Sequence, residues 1–178
     1  MFSNYYLKQL QKVHGRRSLA RGFGGKVKKL GKFYSYMDKW NPTSLLDYGC
    51  GKGTILNSLS EKYPNVRCTG YDPAVVEYAS IPKRFPKFDL VFSNDVMEHI
   101  EPEYIDKVLQ HINELSVKYV WFRIDTKPAR KFLADGRNAH LILEDQEWWE
   151  NKIASNIQGI IVYSNLNEKG KLDIAIEK

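Results

Sequence analysis

The sequence predicts a three-layer α/β/α fold with a mostly parallel sheet and a C-terminal antiparallel strand pair. From Ser44 onward, short apolar stretches alternate with amphipathic stretches of helical period, an order typical of parallel strands joined by helices. The apolar stretches are hydrophobic on both faces, which indicates a sheet covered by helices on both sides. The last two apolar stretches are joined by the short segment Asn167–Gly170, and so short a loop favours antiparallel neighbours.

The individual elements follow in order along the chain. Helical periodicity and helix-breaking residues predict helices over 5–13, 26–39, 54–63, 102–115 and 145–153. Apolar runs between turn residues predict strands over 44–48, 66–71, 88–93, 117–124, 159–164 and 171–177. Residues 74–79 give at most two helical turns, and Pro82 and Pro86 interrupt the chain before the next strand.

Charge divides the chain near residue 40. The 178 residues carry a formal net charge of +6, to which residues 1–40 contribute +9 and residues 41–178 contribute −3. We therefore expect a basic N-terminal helical segment, 1–40, attached to a domain formed by 41–178. Such a segment can contact nucleic acid, anionic lipid or an acidic substrate, or form a solvated arm. Its glycines Gly22, Gly24 and Gly25 predict a flexible lid that would fold Phe23 over a ligand.

Composition narrows the class of protein. A hydrophobic content of 43% suits a globular domain with a sizeable core and argues against general disorder. No run of about 18 apolar residues is present, so no membrane span is expected. Two cysteines, Cys50 and Cys68, do not make a disulfide framework, and the reducing cytoplasm is the expected compartment.

A glycine-rich turn between the first strand and its helix is the main functional signal. The segment Asp47-Tyr48-Gly49-Cys50-Gly51-Lys52-Gly53 lets the chain turn sharply and lets a ligand approach the backbone closely. Asp72 ends the next strand, where a carboxylate can accept hydrogen bonds from both hydroxyls of a ribose. A nicotinamide-dependent enzyme would favour the spacing G-x-G-x-x-G, whereas this turn has G-x-G-x-G.

These residues carry a resemblance to class I S-adenosylmethionine (SAM)-dependent methyltransferases, which have a Rossmann-like fold. The glycine-rich turn resembles their first motif, Gly70-Tyr71-Asp72 their second, and Phe88–Asp95 the strand lining their methyl-transfer site. The resemblance implies that SAM is bound by Asp47, Gly49, Cys50, Gly51, Gly53, Tyr71, Asp72 and Asn94. It does not exclude a protein that binds SAM without catalysing transfer, because fold does not guarantee chemistry.

The chain departs from that family between its second motif and its methyl-site strand. Family members usually place a helix, a further strand and an adenine-contacting acid there. Only 16 residues separate Asp72 from Asp89, and three of these are prolines. We therefore expect this region to be abbreviated, and no adenine-contacting acid can be assigned from the sequence.

The segment after the methyl-site strand predicts the reactive end of the site. The spacing Asp95-x-x-Glu98-His99 brings three metal-capable side chains together if the segment makes one helical turn. It resembles segments of ubiquinone-pathway O-methyltransferases and of metal-dependent small-RNA 2′-O-methyltransferases, which implies His140 as a fourth ligand. The resemblance favours Mg²⁺ or Mn²⁺, although Glu98 can instead cap a helix and His99 can instead serve as a general base.

The loop after the fourth strand is the predicted acceptor site, because such loops form the ligand crevice of α/β proteins. Within it, Arg137, Asn138 and His140 are the predicted acceptor contacts. The predicted reaction is methyl transfer to an oxygen or nitrogen of a small-molecule or nucleotide-like acceptor. RNA or DNA, bound through the basic segment 1–40, is the alternative acceptor. The sequence leaves the oligomeric state open.

Overall fold

The computed structural model describes residues 3–15, 30–81 and 87–178. The predicted lid, formed by Gly22, Gly24, Gly25 and Phe23, lies outside the described residues. Pro82 and Pro86 also lie outside them, as do residues 1–2 and 16–29 of the basic segment 1–40. Within the described ranges, no helix is long and apolar enough to cross a membrane.

The described residues form five α-helices and six β-strands. The helices are α1 (Asn4–Gly15), α2 (Gly31–Trp40), α3 (Thr54–Lys62), α4 (Ile105–Leu115) and α5 (Gln146–Ala154). The strands are β1 (Ser44–Tyr48), β2 (Arg67–Tyr71), β3 (Phe88–Asn94), β4 (Ser116–Asp125), β5 (Ile160–Leu166) and β6 (Lys171–Glu177). Each predicted element is present among the described residues, with ends that differ by a few residues, and the predicted start of the helix over 26–39 lies outside them. Pro102 begins a short 3-10 turn, Pro102–Tyr104, before α4.

The strands form one six-stranded sheet in the order β2-β1-β3-β4-β6-β5. The first four strands pair in parallel, and β6 pairs antiparallel with both β4 and β5. The prediction of a mostly parallel sheet with a C-terminal antiparallel pair is confirmed. The order reverses direction at β1, and ligands of open α/β sheets bind at such a switch point, beyond the carboxyl ends of the strands.

The region between β2 and β3 is abbreviated, as the sequence predicts. Its described residues contain a single 3-10 turn, Val76–Tyr78. The sheet order accordingly ends at β2. Among the described residues, no strand of the sheet therefore lies beyond β2 on this side of the predicted site.

Two apolar layers cover the sheet. One layer contains the buried face of α4 and the inner residues of α5, including Trp149. The other contains Phe33, Met37 and Trp40 of α2 together with Leu59 of α3. A smaller cluster joins Tyr6 of α1 to Leu133 and Ala139 in the loop after β4. The third cluster lies away from both main layers and brings α1 to the predicted acceptor loop.

Candidate active site

The glycine-rich loop folds back onto the end of β2. The backbone N–H groups of Gly49 and Cys50 both donate to the carbonyl of Tyr71, at 2.7 and 3.1 Å. Gly49 has a φ of +83°, and a Cβ there would lie 2.5 Å from the side chain of Val96. Glycine is therefore required at position 49 by both the turn and the space.

Asp72 fastens the same loop to β2. Its Oδ2 accepts a hydrogen bond from the N–H of Gly51, and its Oδ1 accepts one from the N–H of Ala74, both at 2.9 Å. This loop-holding role was not predicted. Because a carboxylate oxygen has two lone pairs, both oxygens keep acceptor capacity for ribose hydroxyls. Ribose binding by Asp72 stays a prediction.

Asp47 lies buried at the base of the loop. Its Oδ2 has no hydrogen-bond partner among the described residues. Burial, and secondly the negative charge of Asp72, raise the pKa of Asp47 to about 7. An unpartnered carboxylate oxygen at the end of β1 fits a ligand group that donates hydrogen bonds or carries positive charge.

The other predicted cofactor residues lie around this loop. Gly51 and Gly53 both have positive φ values, of +54° and +74°. The Sγ of Cys50 would lie 2.8 Å from a Cβ at position 70, and burial raises the pKa of its thiol, so Cys50 packs rather than reacts. Asn94 is the last residue of β3 and is half-buried. Their contact with SAM stays a prediction.

Three of the four predicted metal ligands converge. One candidate ligand atom each from Glu98, His99 and His140 lies within 4.8 Å of the other two. Glu98 and His99 belong to a 3-10 turn that follows β3, and His140 belongs to the loop that follows β4. Because β3 and β4 are parallel neighbours, both segments leave the same edge of the sheet.

Both imidazoles of this cluster are oriented by backbone carbonyls. His99 Nδ1 lies 2.6 Å from the carbonyl oxygen of Ala139, and His140 Nδ1 lies 2.5 Å from that of Lys127. A carbonyl can only accept, so each Nδ1 carries the proton and each Nε2 carries the lone pair. Burial lowers the pKa of His99 to about 4, so this imidazole is neutral at neutral pH. This tautomer is the one that metal-binding histidines adopt when a carbonyl orients them.

Glu98 completes the cluster from a fully buried position. Its Oε1 accepts the N–H of Asp125 at 2.9 Å, whereas its Oε2 has no hydrogen-bond partner in the part of the chain that the structure describes. Burial, followed by the charge of Asp95, raises the pKa of Glu98 to about 8. A cation bound by this carboxylate would therefore displace a proton at neutral pH.

Asp95, the remaining predicted ligand, is not brought into the cluster. Its Oδ1 lies 2.7 Å from Lys171 Nζ, which also lies 2.7 Å from Oδ2 of Asp125. Burial alone would lower the pKa of Lys171, but the two carboxylates outweigh it and raise that pKa. Asp95 also has a φ of +54°, which is uncommon for a residue with a side chain. The carboxylate of Asp95, which the sequence predicts as a metal ligand, is thus paired with the ammonium group of Lys171.

The predicted acceptor contacts differ in their hydrogen-bond partners and in their exposure. Asn138 Oδ1 accepts the N–H groups of Ala129 and His140, at 3.0 and 2.9 Å, and its Nδ2 donates to the carbonyl of Ala129 at 2.9 Å. Its amide therefore closes its own loop. Arg137 pairs with Asp135 at 2.8 Å and remains 44% exposed. Acceptor contact by Arg137, Asn138 or His140 stays a prediction.

Sequence reasoning missed two residues at this edge. Lys171 is the first residue of β6 and lies opposite Asp125 in the β4–β6 register. The sequence predicts pairing of 171–177 with 159–164 only, whereas this contact depends on the pairing of β6 with β4. Tyr6 donates a hydrogen bond from its hydroxyl to the backbone carbonyl of His99. Helical periodicity places Tyr6 on the inner face of α1, but no sequence signal identifies that partner.

The six-stranded sheet with its C-terminal antiparallel pair and the glycine-rich loop at its switch point together have the architecture of a class I methyltransferase domain. A family model described as methyltransferase domain matches residues 14–164, and the chain belongs to that family. No curated protein is significantly similar in sequence to this chain.

Several solved structures share the fold. An O-methyltransferase family protein from Burkholderia thailandensis is 13% identical, covers 84% of this chain and 53% of its own, and has a TM-score of 0.61. The methyltransferase domain of bacterial CtHen1-CN is 18% identical, with coverages of 83% and 96% and a TM-score of 0.60. A Burkholderia thailandensis 1,6-didemethyltoxoflavin-N1-methyltransferase, solved with 1,6-didemethyltoxoflavin and S-adenosylhomocysteine, is 17% identical, with coverages of 82% and 75% and a TM-score of 0.59. The chain spans about half the length of the first two solved structures it matches, 55% and 53%.

Proposed function

We propose that this chain is a SAM-dependent methyltransferase that methylates an oxygen of a small-molecule or nucleotide-like acceptor with help from a divalent cation. The observation that carries the proposal is the cluster of Glu98, His99 and His140. The unpartnered Oε2 of Glu98 and the two imidazoles oriented by carbonyls fit a cation such as Mn²⁺ or Mg²⁺. Bound there, a cation would lower the pKa of an adjacent acceptor hydroxyl.

The cofactor end of the site also fits SAM. SAM supplies a methyl group on a sulfonium, which is already a good leaving group. The protein must therefore mainly align the acceptor and exclude water. Asp47 offers an unpartnered carboxylate oxygen to the ammonium group of the cofactor, and Asp72 offers remaining lone pairs to its ribose. Gly49, Gly51 and Gly53 keep the intervening backbone open to close approach.

Oxygen is favoured over nitrogen as the accepting atom because of the cluster. An acceptor hydroxyl must lose a proton during transfer, and a cation held by the cluster would meet that need by lowering the pKa of the hydroxyl. A small-molecule acceptor agrees with the similar methyltransferase from Burkholderia thailandensis that was solved with 1,6-didemethyltoxoflavin. RNA or DNA remains the alternative acceptor, distinguished by a steep salt dependence of binding.

The test is a calorimetric titration of the protein with S-adenosylhomocysteine and, separately, with Mn²⁺. We expect one Mn²⁺ site that His140→Ala removes and His111→Ala retains, because His111 lies on α4 and bonds to Tyr48 instead. Binding of S-adenosylhomocysteine should survive both substitutions. A wild-type protein that binds S-adenosylhomocysteine but no Mn²⁺ would leave His99 as a general base and end the metal proposal. If the protein binds neither S-adenosylhomocysteine nor Mn²⁺, the proposal of a SAM-dependent methyltransferase fails.

A further inference from the structure

Helix α1 is joined to the reactive end of the site by one of its faces. Ser3, Tyr6 and Gln9 follow one another at intervals of three residues, so their side chains share a face of the helix. Tyr6 and Gln9 on this face are buried, whereas Tyr5 and Lys8 on the opposite face are exposed. We infer that Tyr6 is a positioning residue that fixes His99 for the reaction.

The start of α1 is pinned just beyond His99. Ser3 caps the helix, because its Oγ accepts the N–H of Tyr6 at 3.0 Å. The N–H and Oγ of Ser3 both donate to the carboxylate of Glu101, at 2.9 and 2.8 Å. Glu101 follows His99 by two residues and is buried. The first turn of α1 is thereby held against the segment that supplies Glu98 and His99.

Tyr6 then acts on His99 at two points. Its hydroxyl donates to the backbone carbonyl of His99. Its ring packs in one cluster with Leu133 and with Ala139, whose carbonyl orients the His99 imidazole. The side chain of Tyr6 is completely buried, and burial raises the pKa of its phenol, so the hydroxyl remains a donor. Both the backbone and the ring of His99 therefore depend on the placement of Tyr6.

Gln9 extends the contact to the loop that carries His140. Its Nε2 donates to Oδ2 of Asp135 at 3.0 Å, and Asp135 in turn binds Arg137. The loop is closed beneath this contact, because the N–H of Leu133 donates to the carbonyl of Arg137 at 2.8 Å. A helix that merely covered apolar surface would not need polar contacts to both segments of the cluster. These contacts support a positioning role.

This inference rests on the proposed function, because His99 is placed there at the reactive end. The experiment compares Tyr6→Phe with Tyr5→Phe, which removes a hydroxyl from a ring that is 61% exposed. Nitrogen-15 NMR of the imidazoles, assigned with His99→Asn, reports the hydrogen bond at Nδ1 without any metal. We expect Tyr6→Phe to shift or broaden the His99 signals and to weaken Mn²⁺ binding about ten-fold, as loss of an outer partner of a metal ligand does.

Further readouts separate positioning from folding. A positioning role predicts unchanged affinity for S-adenosylhomocysteine and a melting temperature below that of Tyr5→Phe by no more than the loss of one buried hydrogen bond explains. Identical His99 signals in the two variants would overturn the inference, and so would parallel loss of cofactor affinity and thermal stability. If the wild type binds no Mn²⁺, the metal proposal fails. The comparison of the His99 signals in the two variants then decides by itself whether Tyr6 positions His99. If Tyr6→Phe does not fold, Ser3→Ala takes its place. A changed His99 signal there supports the inference, and an unchanged one overturns it.

Discussion

At the scale of single residues, the carboxyl of Asp47 couples stability to pH. Burial raises its pKa to about 7, so the folded protein binds a proton that the unfolded chain releases near pH 4. The free energy of unfolding should therefore fall as pH rises from about 4 to about 7. Asp47→Asn stays neutral and should remove the part of this slope that Asp47 contributes, leaving the part due to Glu98, whose pKa is also raised. The variant should be more stable than wild type at pH 8 by a few kcal/mol, at about 1.4 kcal/mol per pKa unit. Urea unfolding across this pH range measures it.

Asp89 provides the control of opposite sign. Burial alone would raise its pKa, but hydrogen bonds from Thr43 and the ion pair with Lys118 outweigh burial and lower it. Asp89→Asn should therefore lose stability at neutral pH and approach wild type as the pH falls through the range where Asp89 is protonated. Equal slopes for wild type and Asp47→Asn would mean that Asp47 is ionised in the folded protein.

At the scale of elements, Lys171 holds together the ends of three strands. It begins β6 and pairs with Asp125 at the end of β4 and with Asp95 just after β3. Lys171→Met leaves two half-buried carboxylates without this cation, so we expect a loss of about 1–3 kcal/mol in unfolding free energy. Adding Asp95→Asn should recover part of that loss. The coupling energy should exceed that of the more exposed pair Lys152–Asp106, for which under about 1 kcal/mol is expected.

The loop after β4 offers a second element-scale prediction. Asn138 makes three hydrogen bonds that shape the turn presenting His140. Asn138→Ala should weaken Mn²⁺ binding about ten-fold, because the histidine loses its support, while S-adenosylhomocysteine binding stays unchanged. Asn165→Ala on β5, where the side chain is exposed, is the matched control. A titration in which both variants bind Mn²⁺ like wild type would reduce Asn138 to an ordinary loop residue.

The helices and strands were more predictable from the sequence than the side-chain contacts of the site. Strand runs such as Phe88–Asn94 were predictable because burial on both faces imposes an apolar pattern that local sequence displays. Convergence of Glu98 with His140 followed only from a resemblance, since no local pattern encodes a contact across 42 residues. The diversion of Asp95 to Lys171 was not foreseen, because it depends on the β4–β6 register. The hydrogen bond from the Tyr6 hydroxyl to the His99 carbonyl likewise depends on how α1 packs.

At the scale of the whole molecule, the fold divides the site into two ends. The loop between β1 and α3, held by Asp72 and Tyr71, forms the predicted cofactor end. The segments after β3 and β4 form the predicted reactive end. Each end takes its predicted ligand groups from a different segment, and the two segments touch where the side chain of Val96 lies against Gly49. Because no predicted ligand group is shared, ligands at the two ends should stabilise the fold largely independently.

Independent binding at the two ends predicts how much each ligand raises the melting temperature. A ligand at 100 times its dissociation constant stabilises the folded state by about 2.7 kcal/mol, and in a domain of this size each kcal/mol raises the melting temperature by about 2–4 °C. S-adenosylhomocysteine alone should thus raise it by about 5–11 °C, and saturating Mn²⁺ should add a comparable increment. His140→Ala should abolish the increment from Mn²⁺ and retain that from S-adenosylhomocysteine, whereas Asp72→Ala should reduce the latter. If the joint shift greatly exceeds the sum of the two, the ends are coupled, and the segment after β3, whose Val96 lies against Gly49, is the structural candidate.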